Sequence, residues 1–312
     1  MSAKPGSSHR HTKIIFTVGP ATCEKEVLRS LVRTGVDVCR LNMAHASHDW
    51  TRETVARLRE VCEEEQRHIA VMMDVKGPEI RTGFVDEPIE LKEGQQLQLW
   101  MKSTFAPSPH PDVHRVDVNY RELGEDVNIG DVILVDSGLI RLEILEITVD
   151  CVVTKVVIGG ELGSRRHINL PGVEVNLPSL TEKDLGDLAV GVEVGMDLVA
   201  LSFVRNAEAV RELRNRLSAM GSLAKIVSKI EDQAGIRNLE SIVKATDVVM
   251  VARGDLGVEI PFEELPMVQN EAVRICLTHG TPVIIATHML ESMVDSPFPT
   301  RAEITDIANA VR

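Results

Sequence analysis

The stretch KIVSKIED, residues 225–232, places two opposite charges at the end of an apolar run. The run predicts a strand, and in a strand the side chains two positions apart face the same side. Lys229 and Glu231 are therefore expected to lie next to each other. Because either charge alone is costly to bury, the pair indicates a structural ion pair or a solvated strand end, or else a site that uses both charges.

Polar residues also occur at the C-terminal ends of other apolar runs. They are Arg40, Asn42, Asp74, Lys76, Ser202, Lys229, Glu231, Arg253, Asp255 and Thr287. One such strand end is expected by chance, whereas the same pattern on six strands is typical of a (β/α)₈ barrel, whose site forms where the strands end. We therefore predict that these side chains face a common cleft.

The residue types in this predicted cleft favour the chemistry of negatively charged groups. Glu231 and Asp255 offer the oxygen ligands that Mg²⁺ prefers, although Asp255 in RGDLG also fits a helix N-cap. A phosphate group requires cations at the same face. The available cations are Arg40, Lys76, Arg81, Lys229 and Arg253. A divalent ion, several cations and a central lysine indicate phosphoryl transfer or enolate chemistry.

The composition excludes several classes of function. A net charge of -13 argues against general binding to nucleic acid or to an anionic membrane. Five cysteines without a CxxC pair argue against a disulfide framework or a zinc ribbon. The sequence contains no P-loop, GxGxxG, GxSxG or HExxH motif. A short polar N-terminus and the lack of a membrane-length apolar run predict a cytoplasmic location.

The order of the elements predicts an α/β fold. Seven apolar, β-branched runs alternate with amphipathic stretches, at 13–19, 36–43, 68–77, 197–204, 225–231, 247–255 and 282–289. Residues 84–177 instead read as consecutive strands with a turn at Asp136–Gly138. We predict a TIM (β/α)₈-type barrel with seven strands present and an inserted antiparallel β lid. The predicted boundaries are a flexible tail (1–11), a first barrel segment (12–83), the lid (84–177) and a second, incomplete barrel segment (178–312).

A series of motifs from residue 12 to residue 312 resembles that of the pyruvate kinases in order and spacing. The motifs are TKIIFTVGPAT, RLNMAH, DVKGPEIRTG, NLPSLTEKD, SKIED, MVARGDLGVEIP, ATHMLESM and PTRAEITDIANAV. The resemblance implies transfer of a phosphoryl group from phosphoenolpyruvate to ADP in glycolysis, giving pyruvate and ATP through a magnesium-bound enolate. It also implies Mg²⁺ (or Mn²⁺) and K⁺ as cofactors, and a homo-oligomer for the full-length form.

The resemblance implies roles for individual residues. Substrate-binding residues are Arg40, Lys229, Gly254, Asp255 and Thr287, among which Arg40, Lys229 and Thr287 are catalytic. Lys229 bridges the migrating phosphoryl group and stabilises the enolate, and Thr287 is linked to protonation of the enolate. The implied Mg²⁺ ligands are Glu231 and Asp255, and the implied K⁺ ligands are Asn42, Asp74 and the carbonyl of Val75. The implied nucleotide-side residues are Asn42, His45, Arg81 and the lid residue Arg166.

The sequence departs from the pattern of the resembled family at two positions and at its end. Ala44 stands where a serine usually supplies a K⁺ ligand, so we expect weaker K⁺ binding. His288 stands where glutamine is common, and it fits a structural histidine or a titrating neighbour of the site. The family pattern continues beyond Arg312 into an eighth strand and a further domain. We therefore expect open strand edges at 13–19 and 282–289, and poor turnover from the 312-residue chain alone.

Two other functions stay open at the level of sequence. One is a different magnesium-dependent barrel enzyme acting on pyruvate or phosphoenolpyruvate, such as an aldolase or a lyase, which would not need the inserted lid. The other is a non-catalytic truncated fragment or an assembly partner. An assay that couples pyruvate formation to lactate dehydrogenase separates these possibilities.

Overall fold

The computed structural model describes residues 11–102, 110–287 and 289–312. The predicted flexible tail, except for His11, and the departure at His288 lie outside the described residues. The strands in the described residues are β1 (Ile15–Thr17), β2 (Val38–Asn42), β3 (Ala70–Val75), β4 (Ile80–Arg81), β5 (Ile89–Leu91), β6 (Gln96–Trp100), β7 (Val113–Asp117), β8 (Val132–Val135), β9 (Ile140–Ile147), β10 (Cys151–Ile158), β11 (Gly160–Leu162), β12 (His167–Asn169), β13 (Leu198–Leu201), β14 (Lys225–Ile230), β15 (Val248–Ala252) and β16 (Val283–Ala286).

The helices alternate with the strands outside the inserted module. They are α1 (Lys25–Thr34), α2 (His48–Glu64), α3 (Leu123–Asp126), α4 (Glu182–Glu193), α5 (Ala207–Ala219), α6 (Gln233–Arg237), α7 (Leu239–Ala245), α8 (Arg253–Glu259), α9 (Leu265–His279) and α10 (Arg301–Ala310), with a 3₁₀ helix at Glu291–Val294. Several begin at the residues that local chemistry favours. Asn206 caps α5 and Thr181 forms a capping box at α4. In the described portion of the chain, no helix is long and apolar enough to cross a membrane.

The seven predicted apolar runs form one curved parallel sheet. Its strand order is β1-β2-β3-β13-β14-β15-β16, and every neighbouring pair is parallel. The (β/α)₈-type prediction with seven strands is thus confirmed as a half-barrel. Within the described residues β1 and β16 are the two edge strands, as expected for the runs at 13–19 and 282–289.

Two apolar layers hold this sheet. The convex face packs against the helices through the largest buried cluster, which includes Leu41, Met73, Ile226 and Val251. The concave face carries a smaller cluster formed by Met72, Ala200, Val227 and Met250, with Ile15 and Val38 packed against it. Because side chains alternate along a strand, the residues two positions further on point to the same concave side. Those next residues on β1, β2, β3, β13 and β14 are Thr17, Arg40, Asp74, Ser202 and Lys229. The apolar layer is thus followed by a polar layer at the carboxyl end of the strands.

The inserted module is a second sheet with its own core. Its strand order is β4-β12-β8-β9-β10-β6-β7, and a two-stranded sheet pairs β5 with β11. The buried residues of this module, such as Leu97, Leu142 and Val156, form a separate cluster. The predicted turn at Asp136–Gly138 is present, and all three residues have positive φ. We refer to this module as the lid.

Three details of the lid differ from the sequence-based expectation. The sheet is antiparallel except for β6 and β7, which run parallel. A one-turn helix, α3, occurs where no helix was predicted. Strand β4 pairs with β12 inside the lid sheet, although it precedes residue 84. A parallel pair cannot be joined by a short hairpin turn, so no turn motif in the sequence indicated the β6–β7 pairing.

Candidate active site

Lys229 lies at the centre of the polar layer. Its Nζ is 2.9 Å from Oε1 of Glu231, 2.8 Å from Oγ of Ser202 and 3.2 Å from Oδ1 of Asp74. Asp74 is on β3, whereas Ser202 and Glu231 directly follow β13 and β14, and these three strands are neighbours in the sheet. The structure therefore confirms that Lys229 and Glu231 lie side by side, and it adds two partners from adjacent strands.

The charges of this cluster depend on one another. Burial by itself lowers the pKa of Lys229, but the carboxylates of Glu231 and Asp74 outweigh it and raise that pKa, so the ammonium form is favoured. Burial raises the pKa of Glu231 to about 7, with Asp255 adding to the rise and Lys229 opposing it. A buried carboxylate near a second carboxylate is stabilised by an additional positive charge.

Arg40 extends the cluster on the side of β1. Its Nε donates to Oδ2 of Asp74 at 2.7 Å, and an Nη atom donates to Oγ1 of Thr17 at 2.8 Å. Asp74 therefore lies between two cations, Arg40 and Lys229, and its side chain is almost completely buried. The arrangement fixes two positive groups at the floor of the cleft, where each remains able to bind an anion.

These residues open into a cavity of about 230 Å³. The residues that line it are Arg40, Asn42, Ala44, His45, Asp74, Val75, Lys76, Glu79, Arg81, Ser202, Phe203, Lys229, Glu231 and Asp255. Nine of the residues predicted for the site are thus brought together. Three others, namely Gly254, Thr287 and Arg166, do not line this cavity.

Gly254 and Thr287 lie directly beside the cavity residue Asp255. The backbone N–H of Gly254 donates to Oγ1 of Thr287 at 2.7 Å. Thr287 follows the last residue of β16 and has a φ of 69°, in the left-handed region that a β-branched residue rarely adopts. Gly254 and Asp255 belong to the first turn of α8, and the N–H of Gly254 faces Thr287.

A loop after β3 contributes the charges on the lid side. Glu79 accepts from Arg81 Nε at 2.6 Å and pairs with Lys76 at 2.9 Å. Asp184 of α4 also binds this loop, because its Oδ1 accepts from the N–H of Gly77 at 3.2 Å. Arg81 lies on β4 in the lid sheet and also donates to the carbonyl oxygen of Arg165 at 2.7 Å. Through its bond to Arg81, Glu79 therefore links the loop after β3 to the lid.

Neither Arg166, which was expected on the lid, nor Arg253, which was expected in the cleft, lines this cavity. Arg166 is on the lid, where one Nη is 3.4 Å from Asp136, and its buried Nε has no hydrogen-bond partner within the described residues. Arg253 was expected among the phosphate-binding cations but is buried, and it binds Asp306 of α10 instead. Its position after a strand suggested a cleft residue, whereas the direction of its side chain is set by a helix far away in sequence.

The sequence predicted that Ser202 faces the cleft but gave it no function, and it did not single out Phe203. Ser202 joins Lys229 to the carbonyl of Val75, to which its hydroxyl donates at 2.8 Å. Its place after an apolar run was the available signal. Phe203 has a φ of 51°, and its N–H donates to Oε2 of Glu231 at 2.7 Å. No sequence pattern indicates that backbone contact, because it depends on a left-handed residue that is not glycine.

Comparison with known proteins identifies the family. A family model described as pyruvate kinase, barrel domain, matches residues 9–312. The chain belongs to the pyruvate kinase family. It is 44% identical to the chloroplastic pyruvate kinase isozyme G of Nicotiana tabacum over 98% of this chain and 54% of that protein. It is 43% identical to the pyruvate kinase of Geobacillus stearothermophilus over 97% of this chain and 51% of that protein.

A human relative supports the same family assignment. The chain is 42% identical to human pyruvate kinase PKLR, over 97% of this chain and 54% of that protein. The chain thus spans about half the length of the curated relatives it matches. Membership in the pyruvate kinase family agrees with the parallel half-barrel and its additional antiparallel sheet.

The pyruvate kinase family generally uses Mg²⁺ and K⁺, and the residues present fit a divalent cation. The carboxylate of Asp255 has no hydrogen-bond or ion-pair partner within the described residues, and it adds to the raised pKa of Glu231. A cation between these two carboxylates would relieve their repulsion. The described residues contain no group of three or more His, Cys, Asp or Glu side chains placed to hold a metal. Two carboxylates with water and substrate oxygens are the usual surroundings of Mg²⁺.

Proposed function

We propose that the protein transfers a phosphoryl group from phosphoenolpyruvate to ADP, forming pyruvate and ATP. The observation that carries this proposal is the position of Lys229 between Glu231, Ser202 and Asp74 at the floor of a cavity that Arg40 also lines. Family membership supports it, and it does not favour the alternatives of an aldolase, a lyase or a non-catalytic chain.

In the proposed reaction the bond between phosphorus and the enol oxygen breaks, and a bond to the terminal phosphate oxygen of ADP forms. Negative charge then appears on the enol oxygen and on the transferred group. Lys229 and Arg40 are fixed by carboxylates before the reaction, so they meet that charge without reorganising. The enolate carbon finally takes a proton and becomes the methyl group of pyruvate. We propose that this proton reaches the carbon from solvent through the hydroxyl of Thr287.

Glu231 and Asp255 are the proposed holders of Mg²⁺ or Mn²⁺. When bound, such an ion supplies positive charge that stabilises developing negative charge on substrate oxygens. Glu231 is itself oriented before any ion binds, because Lys229 contacts one of its oxygens and the N–H of Phe203 contacts the other. Asp255 is carried by α8 and completes the pair.

Asn42, Asp74 and the carbonyl of Val75 are the proposed K⁺ ligands. All three line the cavity, and their oxygens suit a monovalent cation. Asp74 already binds Arg40 and Lys229, and the carbonyl of Val75 accepts from Ser202. Ala44 stands at the further position where a serine would supply a K⁺ ligand, and it offers no side-chain oxygen. We therefore propose that K⁺ binds weakly.

The lid and the β3 loop are proposed to hold the nucleotide. Asn42, His45 and Arg81 line the cavity, and Arg81 also donates to the carbonyl oxygen of Arg165 in the lid. Arg166 on the lid has a buried Nε without a partner within the described residues, and it is the proposed lid contact to ADP. A lid over the cavity would exclude water while the phosphoryl group is loosely bonded.

The location and assembly of the protein also belong to the proposal. We expect a cytoplasmic enzyme that binds neither nucleic acid nor membrane and whose full-length form is a homo-oligomer. The net charge of -13 supports the last point. One of the named relatives is chloroplastic, so the compartment is to be tested by imaging the tagged protein in its own cells.

The decisive experiment follows both products in one sample. Phosphoenolpyruvate and ADP are mixed with the protein, Mg²⁺ and K⁺, while ³¹P NMR follows ATP and a lactate dehydrogenase assay follows pyruvate. Equal amounts of ATP and pyruvate, dependent on protein, are expected. Pyruvate without ATP would indicate hydrolysis or a lyase, and the absence of both products would contradict the proposed function.

A further inference from the structure

The backbone of Thr287 is held in an unfavourable conformation. Its φ of 69° lies in the left-handed region, where the branched side chain of threonine is crowded. Such a conformation persists only where the surroundings fix it, and it is often found at functional sites. The contacts that fix Thr287 therefore decide where its hydroxyl points.

Arg253 makes two of those contacts, and the hydroxyl of Thr287 itself donates to the carbonyl of Ala286 at 2.7 Å. The Nε of Arg253 donates to the carbonyl of Ala286 at 3.2 Å, and one Nη donates to the carbonyl of Thr287 at 2.7 Å. These two carbonyls belong to the peptide groups before and after the Cα of Thr287. Because φ and ψ are set by the planes of those two groups, one guanidinium group fixes the conformation of Thr287 from both sides. The next residue, Gly254, then donates its N–H to the hydroxyl of Thr287.

The position of Arg253 is fixed in turn by α10. The Asp306 carboxylate binds the guanidinium with two hydrogen bonds, at 2.6 and 2.8 Å, in a bidentate arrangement. Gln269 is a weaker partner at 3.4 Å. Arg253 is only 8% exposed, so its charge depends on this carboxylate. By contrast, none of the residues of α10 is fully buried.

We propose that Asp306 is a positioning residue that acts through Arg253 on the backbone and hydroxyl of Thr287. None of the contacts of Asp306 described above is with a residue that lines the cavity. It acts by orienting the guanidinium that holds both peptide groups of Thr287. The inference rests on the proposed function, because the consequence of a misplaced hydroxyl is a slower proton transfer at the enolate carbon.

The experiment compares Asp306→Ala and Asp306→Asn with Asp306→Glu and the unchanged protein. Asp306→Asn keeps the shape and one acceptor but removes the charge, whereas Asp306→Glu keeps the charge. Glu271→Gln is the matched control, because Glu271 forms an ion pair with Arg274 on the surface of α9. Circular dichroism first selects a temperature at which every variant is folded.

The first measurement is the exchange of the methyl hydrogens of pyruvate with D₂O, followed by ¹H NMR in the presence of Mg²⁺ and K⁺. In this partial reaction a methyl C–H bond breaks, the proton leaves to solvent through the hydroxyl of Thr287, and a deuteron replaces it. We expect Asp306→Ala to slow exchange and kcat by about 10- to 100-fold, since a small displacement of a reacting group has effects of that order. The KM for ADP should stay unchanged, Asp306→Glu should recover part of the rate, and Glu271→Gln should behave like the parent.

The second measurement does not require turnover. The amide of Gly254 donates to the hydroxyl of Thr287, so its hydrogen exchange should become faster in Asp306→Ala and Asp306→Asn. Unchanged methyl exchange and unchanged Gly254 protection in a folded Asp306→Ala variant would overturn the inference, and Asp306 would only attach α10. If the parent protein neither forms ATP nor exchanges the methyl group, the proposed function fails. The hydrogen-exchange rate of the Gly254 amide then tests the positioning role of Asp306 independently of the reaction.

Discussion

Lys229 keeps its charge in a buried place because three oxygens surround it. The carboxylates of Glu231 and Asp74 outweigh the effect of burial and raise the pKa of Lys229. Replacing either carboxylate would thus lower the pKa of the lysine as well as remove a contact that holds it. The three side chains act as one unit, and the effects of removing them are not expected to be additive.

Lys229→Met tests the role of this ammonium group. Methionine is unbranched and of similar length, so it fills the space without the charge. We expect kcat for phosphoryl transfer to fall by at least about 10³-fold, comparable with or larger than the loss of other electrostatic stabilisers. Lys225→Met is the control, because Lys225 begins the same strand at its exposed end. A Lys229→Met protein with the turnover of the parent would contradict the assignment.

Ala44→Ser tests the K⁺ site. Ala44 lines the cavity beside Asn42, whose side-chain oxygen accepts from the N–H of Ala44 at 3.1 Å. A serine hydroxyl at this position adds an oxygen ligand, so we expect activation by K⁺ at a several-fold lower concentration. The rate is measured against KCl at constant ionic strength, kept with tetramethylammonium chloride. Ala219→Ser, at the exposed end of α5, is the control, and equal rates in the two salts for all variants would exclude a K⁺ site.

At the scale of elements, the sequence predicted the sheet well because strand periodicity and strand ends are local features. The runs that end in Arg40, Asp74 and Lys229 all became strands of one parallel sheet, and their polar ends meet. Contacts between distant segments were not predictable in this way. Arg253 follows a strand like the others, yet its partner is Asp306, and nothing near either residue indicates the pair. The backbone contact of Phe203 to Glu231 likewise depends on how two strands meet.

Helix α8 ends at a buried carboxylate with an unusual pKa. Glu259 accepts from Nδ2 of Asn169 at 2.9 Å. Burial raises the pKa of Glu259 to about 7, Asp232 and Asp255 add to the rise, and Arg205 and the Asn169 hydrogen bond oppose it. The folded protein therefore binds this proton more tightly than the unfolded chain. Its stabilising effect is complete below the unfolded pKa near 4.5 and is lost as pH rises towards 7.

Glu259→Gln tests this linkage. Glutamine keeps an oxygen that accepts from Asn169 but cannot ionise, so the variant should gain stability relative to the parent as pH rises from 5 to 8. The expected gain is on the order of 3 kcal/mol in the free energy of unfolding, from about 1.4 kcal/mol for each pKa unit. Urea denaturation at several pH values measures it. Glu263→Gln, an exposed residue nearby, controls for net charge, and a pH-independent difference for Glu259→Gln would refute the linkage.

At the scale of the whole molecule, the lid and the barrel meet over α8 and Phe203. Asn169 on β12 binds Glu259 of α8, and the ring of His167 lies 5.9 Å from that of Phe203. A small cavity of about 40 Å³ lies between the lid and the barrel, and Oδ1 of Asn169 is buried there without a partner within the described residues. The same helix carries Asp255 at its other end. The orientation of the lid is thus connected to the helix that supplies a proposed metal ligand.

Asn169→Ala tests this connection between lid and barrel. Removing the amide leaves the buried carboxylate of Glu259 without its donor, which costs about 1–3 kcal/mol and should shift the lid towards more open positions. Spin labels on cysteines introduced at Val149 in the lid and Leu223 in the barrel, 88% and 94% exposed, report the distance between lid and barrel. The five native cysteines are buried, which favours labelling at the introduced sites.

For Asn169→Ala we expect a longer and broader distance distribution and a several-fold higher KM for ADP. Glu174→Gln is the matched control, because Glu174 also crosses to the barrel through an exposed pair with Arg237 at 3.6 Å, and such pairs contribute little. An identical distance distribution for Asn169→Ala and Glu174→Gln would show that the buried contact does not set the position of the lid.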